Sequence, residues 1–153
     1  MILQGGSAVL AERVEDTYGW TNTLQTDSYV YPTTVNTDTS NNVISVGYYS
    51  GTTDFDPTAG TDNVTCPDST CMYITKNNND GTYGWTKIIS NPNFIEPTSV
   101  ASNSSNDILV AGQFYETSDF DPGTGTDIRT VTSGTTSSSD LFVLKLDSSG
   151  VFG

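Results

Sequence analysis

Residues 52–62 read TTDFDPTAGTD, and residues 117–127 say nearly the same thing again as TSDFDPGTGTD. In an extended backbone, residues i and i+2 share a side. Asp54 and Asp56 therefore project together while Phe55 points the other way, and Asp119 and Asp121 do the same around Phe120. Two carboxylates that close repel unless a cation or several N–H donors stand between them. Pro57 and Pro122 remove a ladder donor and turn the chain, which lets Asp62 and Asp127 return to the same place. Three carboxylates and the carbonyls of a Gly-containing loop suit a hard cation, Ca²⁺ above all. A second reading needs no metal: the phenylalanine plugs a core and the aspartates cap turns by accepting backbone N–H bonds. The spacing lacks the D-x-D-x-D-G run and closing glutamate of a helix-loop-helix calcium site, and both readings stay open.

Other chemistries find less to work with. There is no histidine, the commonest general base and transition-metal ligand. Asp80-Gly81 and Asp147-Ser148-Ser149-Gly150 resemble the Asp-box turns of sialidase-type propellers, but only Arg13 and Arg129 exist to bind a substrate carboxylate. Paired-carboxylate glycosidase chemistry has acids in plenty, most of which read as solvated. The sequons Asn63-Val64-Thr65 and Asn103-Ser104-Ser105 arise easily in so Ser/Thr/Asn-rich a chain. The chain reads as a non-enzyme.

Eighteen acidic residues against five basic ones give a net charge of -13, which repels nucleic acid and anionic lipid. No apolar run is long enough to span a membrane as a helix, so neither nucleic-acid binding nor membrane insertion is expected. The N-terminal MILQGGSAVLAERVED lacks the basic and apolar regions of a signal peptide. Either a signal has been removed or the chain is an excerpt of something longer. Cys66 and Cys71 flank a Pro67-Asp68 turn at hairpin spacing, which predicts a disulfide and an extracellular or cell-surface setting. The alternative is two free thiols in a reduced compartment.

The elements that position these residues are strands. Thr and aromatics favour strands, Asn, Asp, Ser and Gly favour turns, and helix-building runs of Leu, Ala, Glu and Lys are missing. Gly19-Trp20 recurs at Gly84-Trp85, a step of 65 residues, and the same order of signals recurs with it. Each unit predicts four strands. The first follows a proline (Thr33–Asn36, then Thr98–Ala101), and the second is Val43–Tyr49, then Ile108–Phe114. The third is Met72–Lys76, then Leu141–Leu146, and a turn at Asp80-Gly81 or Ser149-Gly150 opens the fourth, which carries Gly-Trp. Four antiparallel strands at a fixed period describe a β-propeller blade. The fold expectation is all-β, with about two and a half blades. Residues 1–24 give strands three and four of a partial blade, 25–89 a complete blade, and 90–153 a blade lacking its last strand.

The order G-x-x-D-F-D-P, then D-x-F-V-x-K-L-D-x-x-G-x-F, resembles the secreted bacterial β-propeller repeats often called SBBP repeats. It is clearest in Ser118-Asp119-Phe120-Asp121-Pro122-Gly123 and Asp140 to Gly153. The first unit departs from it in its NNNDG turn and in its cysteine pair. The resemblance implies a large secreted or cell-surface protein with no assigned catalytic chemistry.

The sequence thus predicts an extracellular structural or assembly module whose partner is another copy of itself. A spare strand around Tyr18-Gly19-Trp20 would complete the vacancy after Phe152-Gly153 of the next copy, giving a head-to-tail ring or filament. The alternative is a propeller fragment that binds a glycan or a surface protein through rim aromatics such as Tyr48, Tyr49 and Tyr115.

Overall fold

The computed structural model describes residues 19–132 and 138–153. Among them there is no helix, and twelve strands form antiparallel sheets. The first main sheet has the order β2-β3-β6-β7, from β2 (Tyr29–Thr37), β3 (Val43–Ser50), β6 (Thr70–Asn77) and β7 (Tyr83–Asn91). The second has the order β8-β9-β12, from β8 (Ile95–Ser102), β9 (Ile108–Tyr115) and β12 (Ser139–Leu146). Between strands two and three of each unit sits a small accessory ribbon. In the first unit β4 (Thr52–Asp54) pairs with β5 (Asn63–Thr65) and with β1 (Gln25–Thr26), and in the second β10 (Thr117–Asp119) pairs with β11 (Ile128–Thr130). The described residues form neither a closed barrel nor a ring of sheets.

The register makes the two units equivalent residue by residue. Tyr48 faces Met72 and Gly47 faces Tyr73 in the first sheet; Gln113 faces Leu141 and Gly112 faces Phe142 in the second. The turns between the long strands share one device, a left-handed residue in the second-to-last place. It is Asn41 (φ 61°) and Asn106 (φ 63°) between strands one and two, and Gly81 (φ 86°) and Gly150 (φ 78°) after strand three. Asn and Gly are the residues that reach this region at least cost.

The first strand of each unit runs farther than predicted, straight through Pro32 and Pro97, with a bulge just after each proline. Both strands lie at sheet edges, where the missing N–H of proline costs no ladder bond. Alternation along the strands sorts the core. Ile44, Val46, Met72 and Ile74 of the first sheet meet Ile95, Val100, Ile108, Val110, Phe142, Leu144 and Leu146 of the second in one apolar layer. The opposite face of the first sheet buries Tyr49, Cys71 and Tyr73 around Phe55.

Candidate functional site

Each DFDP loop folds over the main sheet of its own unit. Phe55 is fully buried against Tyr49 and Tyr73, with ring centroids 5.2 and 5.3 Å away. Phe120 repeats the arrangement with Phe114 at 5.1 Å and Phe142 at 5.0 Å. Such tilted and edge-to-face contacts suit the ring quadrupole and add to the area each ring buries. The phenylalanine of the motif is a core plug in both units.

The aspartates organise the loop around that plug. Asp54 Oδ1 accepts the N–H groups of Asp56 at 3.1 Å and Asp62 at 2.8 Å, and Asp119 Oδ1 accepts those of Asp121 at 3.1 Å and Asp127 at 2.7 Å. The loop is closed by Phe55 N–H to the Asp62 carbonyl (3.0 Å) and Phe120 N–H to the Asp127 carbonyl (2.9 Å). Asp56 accepts from the Thr58 N–H and hydroxyl, and Asp121 from the Gly123 N–H. The third aspartates diverge. Asp62 accepts the Tyr83 hydroxyl, while Asp127 pairs with the Arg129 guanidinium at 2.6 Å. Desolvation first, and then the bond to Asp62, pushes the Tyr83 phenol well above its usual range. The chain thus returns so that the backbone N–H groups of Asp62 and Asp127 reach the Asp54 and Asp119 carboxylates, while their own carboxylates go to Tyr83 and Arg129. Among the described residues, however, no group of three or more His, Cys, Asp or Glu side chains converges as a metal cage.

Cys66 and Cys71 are joined in a disulfide, with their Cα atoms 5.7 Å apart. It closes the turn between β5 and β6 and sits beside the Tyr49–Phe55–Tyr73 cluster. The second unit has Asp140 at the place of Cys71, and its carboxylate accepts the Thr132 N–H and hydroxyl at 3.2 and 3.0 Å.

The outer edge of β12 separates the two units most sharply. In the first unit that edge is occupied, β6 pairing with β7 from Thr70↔Asn91 to Asn77↔Tyr83. In the second, the chain turns at Asp147–Gly150 and makes one bridge, Leu146↔Phe152, in the place of Asn77↔Tyr83. From Ser139 to Lys145 the edge has no strand beside it among the described residues. A groove of about 590 Å³ follows it, lined by Phe120, Ile128, Phe142, Leu144 and Phe152 among others.

Tyr18 lies outside the described residues, as does most of the expected partial blade at 1–24. Residues 19–24 form no strand, yet Trp20 has a defined seat. Its indole N–H donates to the Asn79 carbonyl at 3.0 Å, and Asn22 donates to the Gly81 carbonyl at 2.9 Å. The ring lies on the Asp80-Gly81 turn, where a Cβ on Gly81 would come within 2.6 Å of it. Trp85 lies on the next such turn, 3.1 Å from where a Cβ on Gly150 would be. Each Gly-Trp tryptophan therefore covers the turn glycine of the following unit. The sequence showed the repeat of both signals but not their contact.

Sequence reasoning also missed Asn91. It is fully buried at the end of β7 and donates to the Tyr115 carbonyl and the Ser118 hydroxyl, both at 2.6 Å, tying the first sheet to the second loop. It missed Phe94 too, which links a run of rings across the two sheets. Tyr29, Tyr31, Tyr48, Phe94 and Tyr115 follow one another at centroid spacings of 5.3, 5.2, 5.0 and 6.2 Å. Tyr48 and Tyr115 both pack on Phe94 in this run, whereas Tyr49 is buried in the Phe55 cluster.

No protein-family model, curated protein or solved structure matches the chain.

Proposed function

We propose that this chain is a structural assembly module of a secreted or cell-surface protein, built of β-propeller-like blades, whose copies join head-to-tail by strand addition. The observation that carries the reading is that, among the described residues, no strand lies beside Ser139 to Lys145 of β12, where the first unit has β7. An open edge offers a row of unpaired N–H and C=O groups to any extended segment. The segment Thr17-Tyr18-Gly19-Trp20-Thr21 repeats Thr82-Tyr83-Gly84-Trp85-Thr86 letter for letter. Trp20 also bears the same relation to the unit after it that Trp85 bears to its own successor. A second copy seated after the second sheet would therefore bring its N-terminal segment to the edge of β12. The disulfide suits an oxidising compartment. Within this reading Ca²⁺ would be held by the first loop, Asp54, Asp56 and Asp62, because Arg129 already neutralises Asp127 in the second. Deleting residues 1–20 should leave a chain that no longer forms the high-mass species of the intact protein by light scattering. The same high-mass species from the truncated chain would rule strand addition out.

A second reading, a glycan- or protein-binding surface, draws on the ring ladder from Tyr29 to Tyr115, of which Tyr31 is exposed. Tyrosine supplies contact area with a polar tip at little entropic cost. Glycan-array binding lost in Tyr31→Ala would favour it over assembly.

A further inference from the structure

Among the described residues the two main sheets meet through one contact, and each has a second face that takes no part in it. On the first sheet the contacting face carries Ile44, Val46, Met72 and Ile74, and Met72 and Ile74 are 0% exposed. The register makes Leu109, Ala111, Leu141 and Val143 their counterparts on the second sheet. There Leu141 is 77% and Val143 64% exposed. The second sheet uses its opposite face, with Val100, Ile108 and Val110 buried. The counterparts of those three on the first sheet are Val35, Val43 and Ser45, and Val35 is 61% exposed where Val100 is 6%. Leu109, Ala111, Leu141 and Val143, and the part of the first sheet's second face that the Phe55 loop leaves uncovered, are thus counterparts of residues that this chain buries between its sheets, although Leu144 and Leu146 have polar counterparts in Thr75 and Asn77.

The polar contacts repeat in the same way. Thr39 donates its N–H and hydroxyl to Asn106 Oδ1 at 3.0 and 2.8 Å, and the Ser102 hydroxyl donates to the Thr37 carbonyl at 2.9 Å. In the turn after β8, Ser104 holds the place of Thr39; in the turn after β2, Asn41 holds that of Asn106, with nearly the same left-handed backbone. Thr37 in turn holds the place of Ser102 and carries the same hydroxyl. One bond would be lost: the Asn36 side-chain amide donates to the Val100 carbonyl at 3.3 Å, and its counterpart Ala101 has no side-chain donor.

We infer that the outer face of the second sheet, Leu109, Ala111, Leu141 and Val143, docks the Val35–Val43 face of a second copy of this chain. The inference rests on the head-to-tail reading and adds the surface that carries it. A second copy is the occupant because the end of that face beyond the Phe55 loop, with Val35 exposed, and the Thr37 and Asn41 turn beside it offer apolar and polar groups that the sheet-to-sheet contact already uses at equivalent places. Apolar patches of this kind mark association surfaces. Each copy carries a net charge of -13, so association should strengthen as salt screens the repulsion.

The test is sedimentation of the full chain over a wide concentration range at about 0.15 M salt. The intact chain should pass from 16.3 kDa to multiples of that mass. The double variant Leu141→Lys/Val143→Lys should stay at one chain throughout, although the lysines lower the net negative charge, and should keep the melting temperature that the dilute, unassociated chain has, because both sites are exposed. A double variant that associates like the intact chain overturns the docking face and leaves strand addition standing. Association that survives deletion of residues 1–20 but not the double variant leaves the face standing and removes strand addition. An intact chain that is single at every concentration overturns both. Should the double variant fold poorly, Ser104→Cys chains mixed with Asn41→Cys chains decide the matter. The mixture should cross-link faster under oxidation than either variant alone, and equal rates would overturn the face.

Discussion

The first and second units build the same strands and loops but hold them together with different chemistry. The first closes the approach to its third strand with the Cys66–Cys71 disulfide, the second with hydrogen bonds from Thr132 to Asp140. At the turn between strands one and two, Asp38 caps the first unit and pairs with Lys76 at 2.8 Å. In the second unit Asn103 does the capping, and the acid has moved to Asp107, paired with Lys145 at 2.8 Å. The acid has changed position within the turn while the lysine has stayed. What both units keep unchanged is the phenylalanine under the loop, the aspartate that gathers two N–H groups, and the left-handed turn residues. Those constants are geometric needs of the fold, and the variables are interchangeable ways of meeting an electrostatic or closure need.

Removing the shared element should have the largest effect. Phe55→Ala and Phe120→Ala each leave a cavity among two other rings, and each is expected to cost about 3–5 kcal/mol by chemical denaturation. A loss below about 1 kcal/mol in either unit would mean the plug role is not shared.

The displaced acid comes next. Burial alone raises the Asp38 carboxyl, but the Lys76 ammonium, the Asn42 amide and the Asn42 and Ser40 N–H groups outweigh it and hold the pKa at about 2. Its unfolded value is 3.8, so the folded carboxyl is the stronger acid. The stabilisation is therefore present above pH ~4 and is lost as pH falls toward 2, about 2 kcal/mol in all. Asp107 is also lowered, by Lys145 first and then Asn103, but the side chains of that pair are more exposed. Asp38→Asn should flatten the acid limb of the stability curve between pH 4 and 2 more than Asp107→Asn does. Equal flattening would show that burial of the first pair has no energetic consequence.

Calcium should have the smallest effect, and through the first loop alone. A modest rise in melting temperature on adding Ca²⁺, reversed by EDTA, should vanish in Asp62→Asn and persist in Asp127→Asn. A rise that both substitutions leave intact would place the ion elsewhere.

The long strands were legible because alternation, Asp-Gly and Ser-Gly turns and the 65-residue step all agree. Val43–Tyr49 is one residue short of the observed Val43–Ser50. The first strands were cut short because Pro32 and Pro97 read as boundaries, and only the sheet order reveals that both lie on edges that tolerate them. The accessory ribbons were not legible, since Thr52–Asp54 and Asn63–Thr65 are too short and polar to carry a periodic signal. The two roles offered for DFDP could be listed from spacing. The partners that distinguish the loops, Tyr83 on Asp62 and Arg129 on Asp127, depend on a return of the chain that spacing does not fix. The seat of Trp20 on Gly81 spans about sixty residues and has no local signature.

Strand addition is tested most directly by amide hydrogen exchange along Ser139–Lys145 in the intact chain, compared between dilute and concentrated protein. If a second copy pairs with this edge, its outward N–H groups gain protection as concentration rises and lose it on dilution, while those of β6, already paired with β7, do not change. Fast exchange along the outer edge of β12 at every concentration would contradict head-to-tail pairing.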